Sequence, residues 1–131
     1  DSPAVQVGAL DGLNIMVTDD EPDTREMMKV LLNSHGAQVR TAASAQETLE
    51  HLKNGLADLL ISDIGMPFVD GYELRRELTL LGFEMPSIAL TAYTAPRDAQ
   101  RAIEAGFDAH LPKPVDADSL LKMITKLARA K

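Results

Sequence analysis

Five short apolar runs alternate with five segments of helical period, and this alternation limits the folds that the chain can adopt. The predicted strands are 13–18, 37–41, 57–62, 86–90 and 107–111. The predicted helices run from Pro22 to a stop at His35 and Gly36, from a cap at Ser44 to Asn54, and over 72–81, 96–105 and 117–130. Strict alternation with short connections implies right-handed crossovers between parallel strands. The sequence therefore predicts an α/β fold, a doubly wound five-stranded parallel sheet with five helices on its two faces.

The composition suits a single domain whose partners are proteins. The 131 residues are 45% hydrophobic and 25% charged, which is typical of a globular protein. The formal net charge of −7 disfavours direct binding of nucleic acid or of a membrane surface. The absence of cysteine excludes disulfides, thiolate metal sites and cysteine nucleophiles. Because no membrane-spanning stretch and no signal peptide is found, we expect a cytoplasmic location, which a membrane-anchored parent protein would also allow.

One domain is expected after a short tail. Residues 1–11 have no clear period and are predicted to be a linker or flexible tail, so that the domain covers 12–131. The chain starts at Asp1 without a methionine, from which we expect further protein upstream. In the first predicted helix, helical spacing puts one shared face at Met27, Val30, Leu31 and Ser34.

Polar residues follow four of the predicted strands. Asp19 and Asp20 come after the first strand, Asp63 after the third, Thr91 after the fourth, and Lys113 close after the fifth. In open α/β sheets, ligands bind outside the carboxyl ends of the strands, so we expect these side chains to meet at one rim. Two carboxylates 4 Å apart repel by about 4 kcal/mol at an effective dielectric near 20 unless a cation offsets them. The rim is therefore predicted to hold a hard divalent cation together with a tetrahedral oxyanion.

The chemistry that suits this rim is phosphoryl transfer to a carboxylate. Asp63 is the candidate nucleophile, because a carboxylate can accept a phosphoryl group as an acyl phosphate. Such a reaction asks the protein mainly to place the nucleophile in line and to neutralise charge. The candidate Mg²⁺ ligands are Asp20, Asp63 and the backbone carbonyl of Gly65. Lys113 would balance the charge, and the Thr91 hydroxyl can donate to a phosphoryl oxygen.

The same residues resemble the receiver domain of two-component response regulators over about residues 12–130. The resemblance depends on four motifs: MVTDDEPD, SDIGMPFVDGYEL, ALTAY and AGFDAHLPKPV. Asp63 lies 43 positions after Asp20, 28 before Thr91 and 50 before Lys113, and these separations are similar to those of that family. The resemblance implies a flavodoxin-like sheet of order 2-1-3-4-5.

The resemblance also implies roles for the site residues. A phosphohistidine on a histidine kinase or histidine phosphotransferase protein would phosphorylate Asp63 in a Mg²⁺-dependent reaction, with Mn²⁺ as an alternative metal. The domain would promote its own phosphorylation and dephosphorylation without being a separate turnover enzyme. The implied metal ligands are Asp20 and, through water, Asp19. Thr91 would be the switch hydroxyl and Lys113 the phosphate-sensing lysine. The first helix, around Arg25 and Met28, is expected to dock the phosphodonor.

Three features near the site concern tuning and backbone geometry. His110 occupies the position three residues before the lysine where the family usually has Tyr or Phe, and imidazole is smaller and can take up a proton. Gly65 offers no side chain beside the phosphoacceptor, whereas Tyr93 is bulky enough to cover a phosphoryl group. We expect Gly65 and Tyr93 to set the lifetime of the phosphorylated state. The family resemblance further implies a cis peptide bond between Lys113 and Pro114.

Three contexts for such a domain remain open. The tail, and the lack of an output domain after Lys131, resemble the C-terminal receiver of a hybrid sensor histidine kinase. A stand-alone single-domain response regulator is the first alternative, and a pseudo-receiver that is never phosphorylated is the second. A phosphatase of the haloacid-dehalogenase type would need a second aspartate two residues after Asp63, where this chain has Gly65.

Overall fold

A computed structural model describes residues 8–64, 71–91 and 96–129. Strands and helices alternate throughout, as β1 (Asn14–Thr18), α1 (Pro22–Asn33), β2 (Gln38–Ala42), α2 (Ala45–Asn54), β3 (Leu59–Asp63), α3 (Gly71–Leu80), β4 (Ser87–Thr91), α4 (Pro96–Ala105), β5 (Ala109–Pro112) and α5 (Ala117–Arg129). In the part of the chain so described, no helix has the length and apolar character that crossing a membrane requires.

The five strands form one parallel sheet in the order β2-β1-β3-β4-β5. This confirms the predicted doubly wound fold. The chain winds from β1 to β2 in one direction and from β3 through β4 to β5 in the other, so the switch point lies between β1 and β3. The register pairs Thr18 with Ser62 and Asp63 with Leu90, which brings the carboxyl ends of β1, β3 and β4 to the same edge.

Each strand begins one or two residues later than predicted. β2 to β5 also end one residue later than predicted, so Asp63 and Thr91 are the last residues of β3 and β4 rather than the first residues after them. The backbone ladder continues past these strand ends, because Ile64 N donates to Leu90 O at 3.2 Å and Lys113 N donates to Thr91 O at 2.8 Å. Apolar runs identify a strand but not its ends, since the ends depend on which backbone groups find partners across the sheet.

Apolar side chains on the two faces of the sheet form separate cores. Alternate strand residues such as Ile15 and Ile61 pack with α1 and α5 in one core. The residues between them, such as Met16 and Leu60, pack with α2 and α3 on the other face. Ala89 extends this second face towards α4. Burial on both faces explains why β3 and β4 are apolar at consecutive positions instead of alternating.

The inward face of α1 is formed by residues that the predicted shared face leaves out. Met28 and Leu32 are fully buried, whereas Met27 is 46% and Val30 is 59% exposed. Of the face predicted to be shared by Met27, Val30, Leu31 and Ser34, only Leu31 packs partly against the core, and the other three residues are exposed. Met28 is likewise a core residue and not part of a docking face. Apolar residues are so frequent in this helix that two sets of positions, offset from each other by one residue, fit the helical period equally well.

The described start of the chain packs on the domain. Leu10 is completely buried in the same core as Ile15. Its N–H donates to His35 O at 2.9 Å, and Leu13 N donates to Leu10 O at 3.0 Å. A boundary at residue 12 therefore excludes a core residue, and residues 8–11 are better counted with the domain. Residues 1–7 lie outside the described part.

Two aspartates each bind the amino end of one strand to the amino end of the strand beside it. Asp58 Oδ2 accepts from Asn14 N at 2.8 Å, and Asp58 N donates to Asn14 O at 2.7 Å. The same reciprocal pair joins Asp108 to Ser87, with distances of 2.8 and 2.9 Å. Each carboxylate thereby satisfies the first backbone donor of β1 or β4.

Replacing Asp108 with alanine should lower the free energy of unfolding by about 1–2 kcal/mol, because the N–H of the buried Ser87 loses its acceptor. Urea denaturation measures this loss. Glu84→Ala, an exposed acid close to the same strand end, is the control and should change stability by less than about 0.5 kcal/mol. Equal losses in the two variants would contradict an anchoring role for Asp108.

Candidate functional site

Three aspartates gather at the switch point. One carboxylate oxygen from each of Asp19, Asp20 and Asp63 lies within 4.8 Å of the other two. Asp19 is completely buried and Asp63 is 7% exposed, whereas Asp20 is open to solvent. The adjacency of β1 and β3 causes this convergence, because both strands end at the same edge. The three aspartates predicted to meet here do so.

Asp19 is held on several sides. Its Oδ1 accepts from Glu21 N at 2.9 Å, and its backbone carbonyl accepts from Arg25 Nη1 at 2.7 Å. Burial raises the pKa of the Asp19 carboxyl, and the charge of Asp63 raises it further. The Glu21 N–H and the ammonium of Lys113 lower that pKa but do not offset burial, so the net direction is upward. A divalent cation would favour the ionised form of this carboxyl.

Lys113 reaches the cluster from the loop after β5. Its Nζ lies 2.9 Å from Asp19 Oδ2, 3.3 Å from Asp63 Oδ2 and 3.4 Å from Glu21 Oε1. Burial by itself lowers the pKa of Lys113, but its contacts with Asp19 and Asp63 outweigh burial and raise the pKa above its ordinary value. The side chain is therefore an ammonium at neutral pH and the counter-ion of the cluster. The Lys113–Pro114 peptide bond is cis, the isomer expected from the family resemblance.

Thr91 and His110 lie on the neighbouring strands. Thr91 is 1% exposed, and within residues 8–64, 71–91 and 96–129 its hydroxyl has no hydrogen-bond partner. His110 Nδ1 is also buried without a partner in those ranges. The register pairs His110 with Ala89 and Pro112 with Thr91. The side chains of Thr91 and His110 therefore lie on the same face of the sheet as Ala89, which is the face that packs under α4. Gly65 and Tyr93 fall outside the described residues.

A groove of about 600 Å³ opens beside the cluster, between α1 and the loop after β5. Its lining includes Glu21, Asp23, Met27, Lys113 and Val115. A second groove, of about 400 Å³, lies at the opposite ends of the strands beside the buried Arg75 and contains no residue of the cluster. The first groove is therefore the one that lies next to the carboxylates.

Two contacts of the site had not been predicted. Glu21 binds Lys113, and Arg25 binds the backbone of Asp19 rather than a ligand. Glu21 directly follows the acidic pair in DDEP, so a third consecutive acid was the available signal. Arg25 carries no comparable signal, because its acceptor is a backbone carbonyl that only the loop conformation brings within reach.

The donor set fits a hard divalent cation. All the side-chain donors are carboxylate oxygens, and two of the carboxylates are nearly or fully buried. Mg²⁺ prefers such oxygens and keeps several waters, which the solvent-facing side at Asp20 can accommodate. A half-buried ammonium already balances part of the negative charge. These residues are therefore compatible with Mg²⁺.

A parallel sheet of order 2-1-3-4-5, with clustered carboxylates and a lysine at its switch point, defines a receiver-like α/β domain. The model of the response regulator receiver domain family matches residues 15–125. The chain belongs to this family and is a receiver domain of two-component signalling. Receiver domains typically bind Mg²⁺ in an acidic pocket and interact with histidine kinases or phosphotransfer proteins.

Similar proteins include both short and long chains. The chain is 41% identical to the uncharacterized 14.6 kDa protein in the sodA1 3′ region of Leptolyngbya boryana, covering 90% of this chain and 92% of that protein. It is 36% identical to the sensor histidine kinase RcsC of Escherichia coli (strain K12), covering 90% of this chain. It spans only 12% of the length of RcsC. Among solved structures, chemotaxis protein CheY4 of Vibrio cholerae is similar with a TM-score of 0.84, 28% identity and coverage of 88% and 98% of the two chains.

The raised pKa of Asp19 predicts how stability depends on pH in the absence of metal. The folded state keeps a proton that the unfolded state releases, so stability should fall as pH rises above about 3.9, the ordinary pKa of an aspartate. Asp19→Asn should make this fall shallower above about pH 4. Urea denaturation in a chelating buffer at several pH values measures the slope.

Asp116→Asn is the control for this slope. Hydrogen bonds from the Ser119 hydroxyl and N–H lower the pKa of Asp116, so it titrates below that pH window. The slope of Asp116→Asn should therefore match that of the wild type. A parallel fall in Asp19→Asn and the wild type would contradict the electrostatic account of Asp19.

Proposed function

We propose that Asp63 accepts a phosphoryl group from a phosphohistidine on a histidine kinase or histidine phosphotransferase protein. The observation that carries this proposal is the position of its carboxylate, within 4.8 Å of two other aspartates and 3.3 Å from Lys113 Nζ. A carboxylate with an adjacent ammonium and a metal-compatible oxygen cluster has what phosphoryl transfer requires. Phosphorylation then changes the interaction surface of the domain.

In this reaction a carboxylate oxygen of Asp63 bonds to phosphorus as the phosphorus–nitrogen bond of the donor histidine breaks. The product is an acyl phosphate, and the donor nitrogen keeps the electron pair of the broken bond and takes a proton from water, which gives a neutral imidazole. Lys113 neutralises charge on the transferred oxygens, and the Thr91 hydroxyl donates to one of them. Water later attacks phosphorus, which releases inorganic phosphate and the free carboxylate. The domain thus promotes both steps on itself and is not a separate turnover enzyme.

Asp20 and Asp63 would hold Mg²⁺ directly, and Asp19 would hold it through water. The backbone carbonyl of Gly65 is proposed as a further ligand and lies outside the described residues. When bound, the ion would neutralise charge on the carboxylates and on the phosphoryl oxygens. The all-oxygen donor set also suits Mn²⁺.

The signal is proposed to leave the site through β4 and β5. Thr91 and His110 belong to the face under α4, and both have buried polar atoms without partners in the described parts of the chain. A hydroxyl drawn to a phosphoryl group would vacate space that the imidazole can enter. Tyr93 and Gly65 are proposed to set the phosphate lifetime, and neither is among the described residues.

The phosphodonor is proposed to dock on the outer face of α1. Met27 and Val30 are large apolar side chains left 46% and 59% exposed, and Met27 also lines the groove beside Lys113. An apolar surface next to the phosphoacceptor suits a partner that must place a histidine side chain within reach of Asp63. The docking residues are thus Met27 and Val30, in place of the buried Met28.

Two parent proteins are candidates. The C-terminal receiver of a hybrid sensor histidine kinase is our proposal, supported by the similarity to RcsC. A stand-alone response regulator is the second candidate, favoured by the similarity to a Leptolyngbya boryana protein of comparable length. The mass of the native gene product separates them, because a hybrid kinase is several times larger than this domain. Either protein would act in the cytoplasm.

Asp63→Asn should abolish phosphorylation. Wild-type protein with Mg²⁺ and a small phosphodonor should gain one phosphate in a hydroxylamine-labile adduct, which intact mass spectrometry detects. Asp118→Asn removes an exposed carboxylate from α5 and should leave the adduct unchanged. No adduct on the wild type would favour a pseudo-receiver, and an unchanged adduct on Asp63→Asn would assign the phosphate elsewhere.

Met27→Asp combined with Val30→Asp should slow phosphotransfer from a phosphohistidine protein by about tenfold, since a charged surface would replace the apolar contact. The rate with the small phosphodonor should not change, because Asp63 itself is untouched. Leu80→Asp, at an 86% exposed position of α3, is the matched control. Equal slowing with both kinds of donor would place the defect in the site and contradict docking on α1.

A further inference from the structure

Lys113 is shared by three carboxylates, and one of them is not part of the metal-compatible cluster. Asp19 and Asp63 belong to that cluster. Glu21 does not, yet its Oε1 lies 3.4 Å from Lys113 Nζ. The side chain of Glu21 is 64% exposed, compared with 0% and 9% for those of Asp19 and Asp63. The ammonium is thus bound from the buried side by two aspartates and from the solvent side by Glu21.

The start of α1 leaves the Glu21 side chain free for this contact. Glu21 is the N-cap residue of the helix, but its side chain makes no capping hydrogen bond. Pro22 follows at the first helical turn and has no N–H to satisfy. The Glu21 N–H donates to Asp19 Oδ1 at 2.9 Å. The residue is therefore fixed through its main chain on Asp19 and reaches Lys113 with its carboxylate.

This third contact affects how the lysine competes with a metal. An ammonium between Asp19 and Asp63 occupies oxygens that a divalent cation also needs, and its charge repels that cation. A carboxylate on the solvent side draws the ammonium outward. Without that carboxylate, the ammonium of Lys113 would pair only with the two aspartates. Loss of one negative charge near the site would weaken cation binding in the same direction.

We propose that Glu21 is a positioning residue that holds Lys113 at the outer side of the carboxylate cluster and so keeps Asp63 accessible to a cation and a phosphoryl group. The inference rests on the proposed function of the cluster. It assigns to Glu21 a role through Lys113 and not as a metal ligand. The start of α1 then tunes the metal affinity of the site through Lys113.

Glu21→Gln should weaken Mg²⁺ binding about fivefold at low salt, the effect of losing one partly exposed ion pair. Isothermal titration of the protein with MgCl₂, with no phosphodonor present, measures this affinity. Asp23→Asn is the matched control, because Asp23 is an exposed acid of the same helix start and lines the same groove. It forms no ion pair with Lys113 in the described structure, so its effect should be less than twofold.

Two further measurements separate an effect through Lys113 from a general loss of charge. In a Lys113→Met background, Glu21→Gln should change Mg²⁺ affinity by less than twofold, because the group it acts through is gone. In the metal-free protein, the Lys113 side-chain NMR resonances should shift in Glu21→Gln and not in Asp23→Asn. Glu21→Asp keeps the negative charge on a side chain that is one methylene shorter, and it should recover part of the Mg²⁺ affinity.

The outcomes distinguish the inference from the function on which it rests. Equal Mg²⁺ affinity in Glu21→Gln and Asp23→Asn, or an undiminished effect in the Lys113→Met background, would overturn the role of Glu21 and leave the phosphoacceptor proposal standing. Failure of the wild type to bind Mg²⁺ at millimolar concentration would overturn both.

Discussion

The balance of charge at the switch point is the interaction on which the rest of the site depends. Two carboxylates, those of Asp19 and Asp63, are withdrawn from solvent and would repel each other strongly without a cation. The Lys113 ammonium, 2.9 and 3.3 Å away, provides that balance in the absence of metal. In this resting site the Lys113 ammonium neutralises the two carboxylates. An added cation or phosphoryl group would change which negative charges that ammonium neutralises.

The fold supports this arrangement through its strands. Asp58 and Asp108 fix the amino ends of β1 and β4 against their neighbours, so the register is set far from the site. Asp63 and Thr91 are the last residues of β3 and β4. Backbone hydrogen bonds between the strands therefore still fix their positions. Side chains on such rigid elements keep their geometry while charges around them change. Under the proposed function, a change at this edge would reach the α4 face through β4 and β5.

The sequence allowed the fold and the three aspartates of the cluster to be predicted, for a physical reason. Strand–helix alternation has few topological solutions, and parallel strands must present their carboxyl ends together. Other features depend on tertiary contacts that no local pattern specifies. The choice between Met27 and Met28 for the core is a matter of helix phase, and the burial of Leu10 depends on the distant turn at His35. The contact of Glu21 with Lys113 joins residues 92 positions apart.

Mapping the phosphate to a residue tests the central claim most directly. Borohydride reduction of the phosphorylated chain converts an aspartyl phosphate to homoserine, which peptide mass spectrometry can locate. The account predicts homoserine at position 63 alone, and only when Mg²⁺ was present during phosphorylation. Homoserine at Asp19 or Asp20, or a phosphate that survives reduction on another residue type, would contradict it.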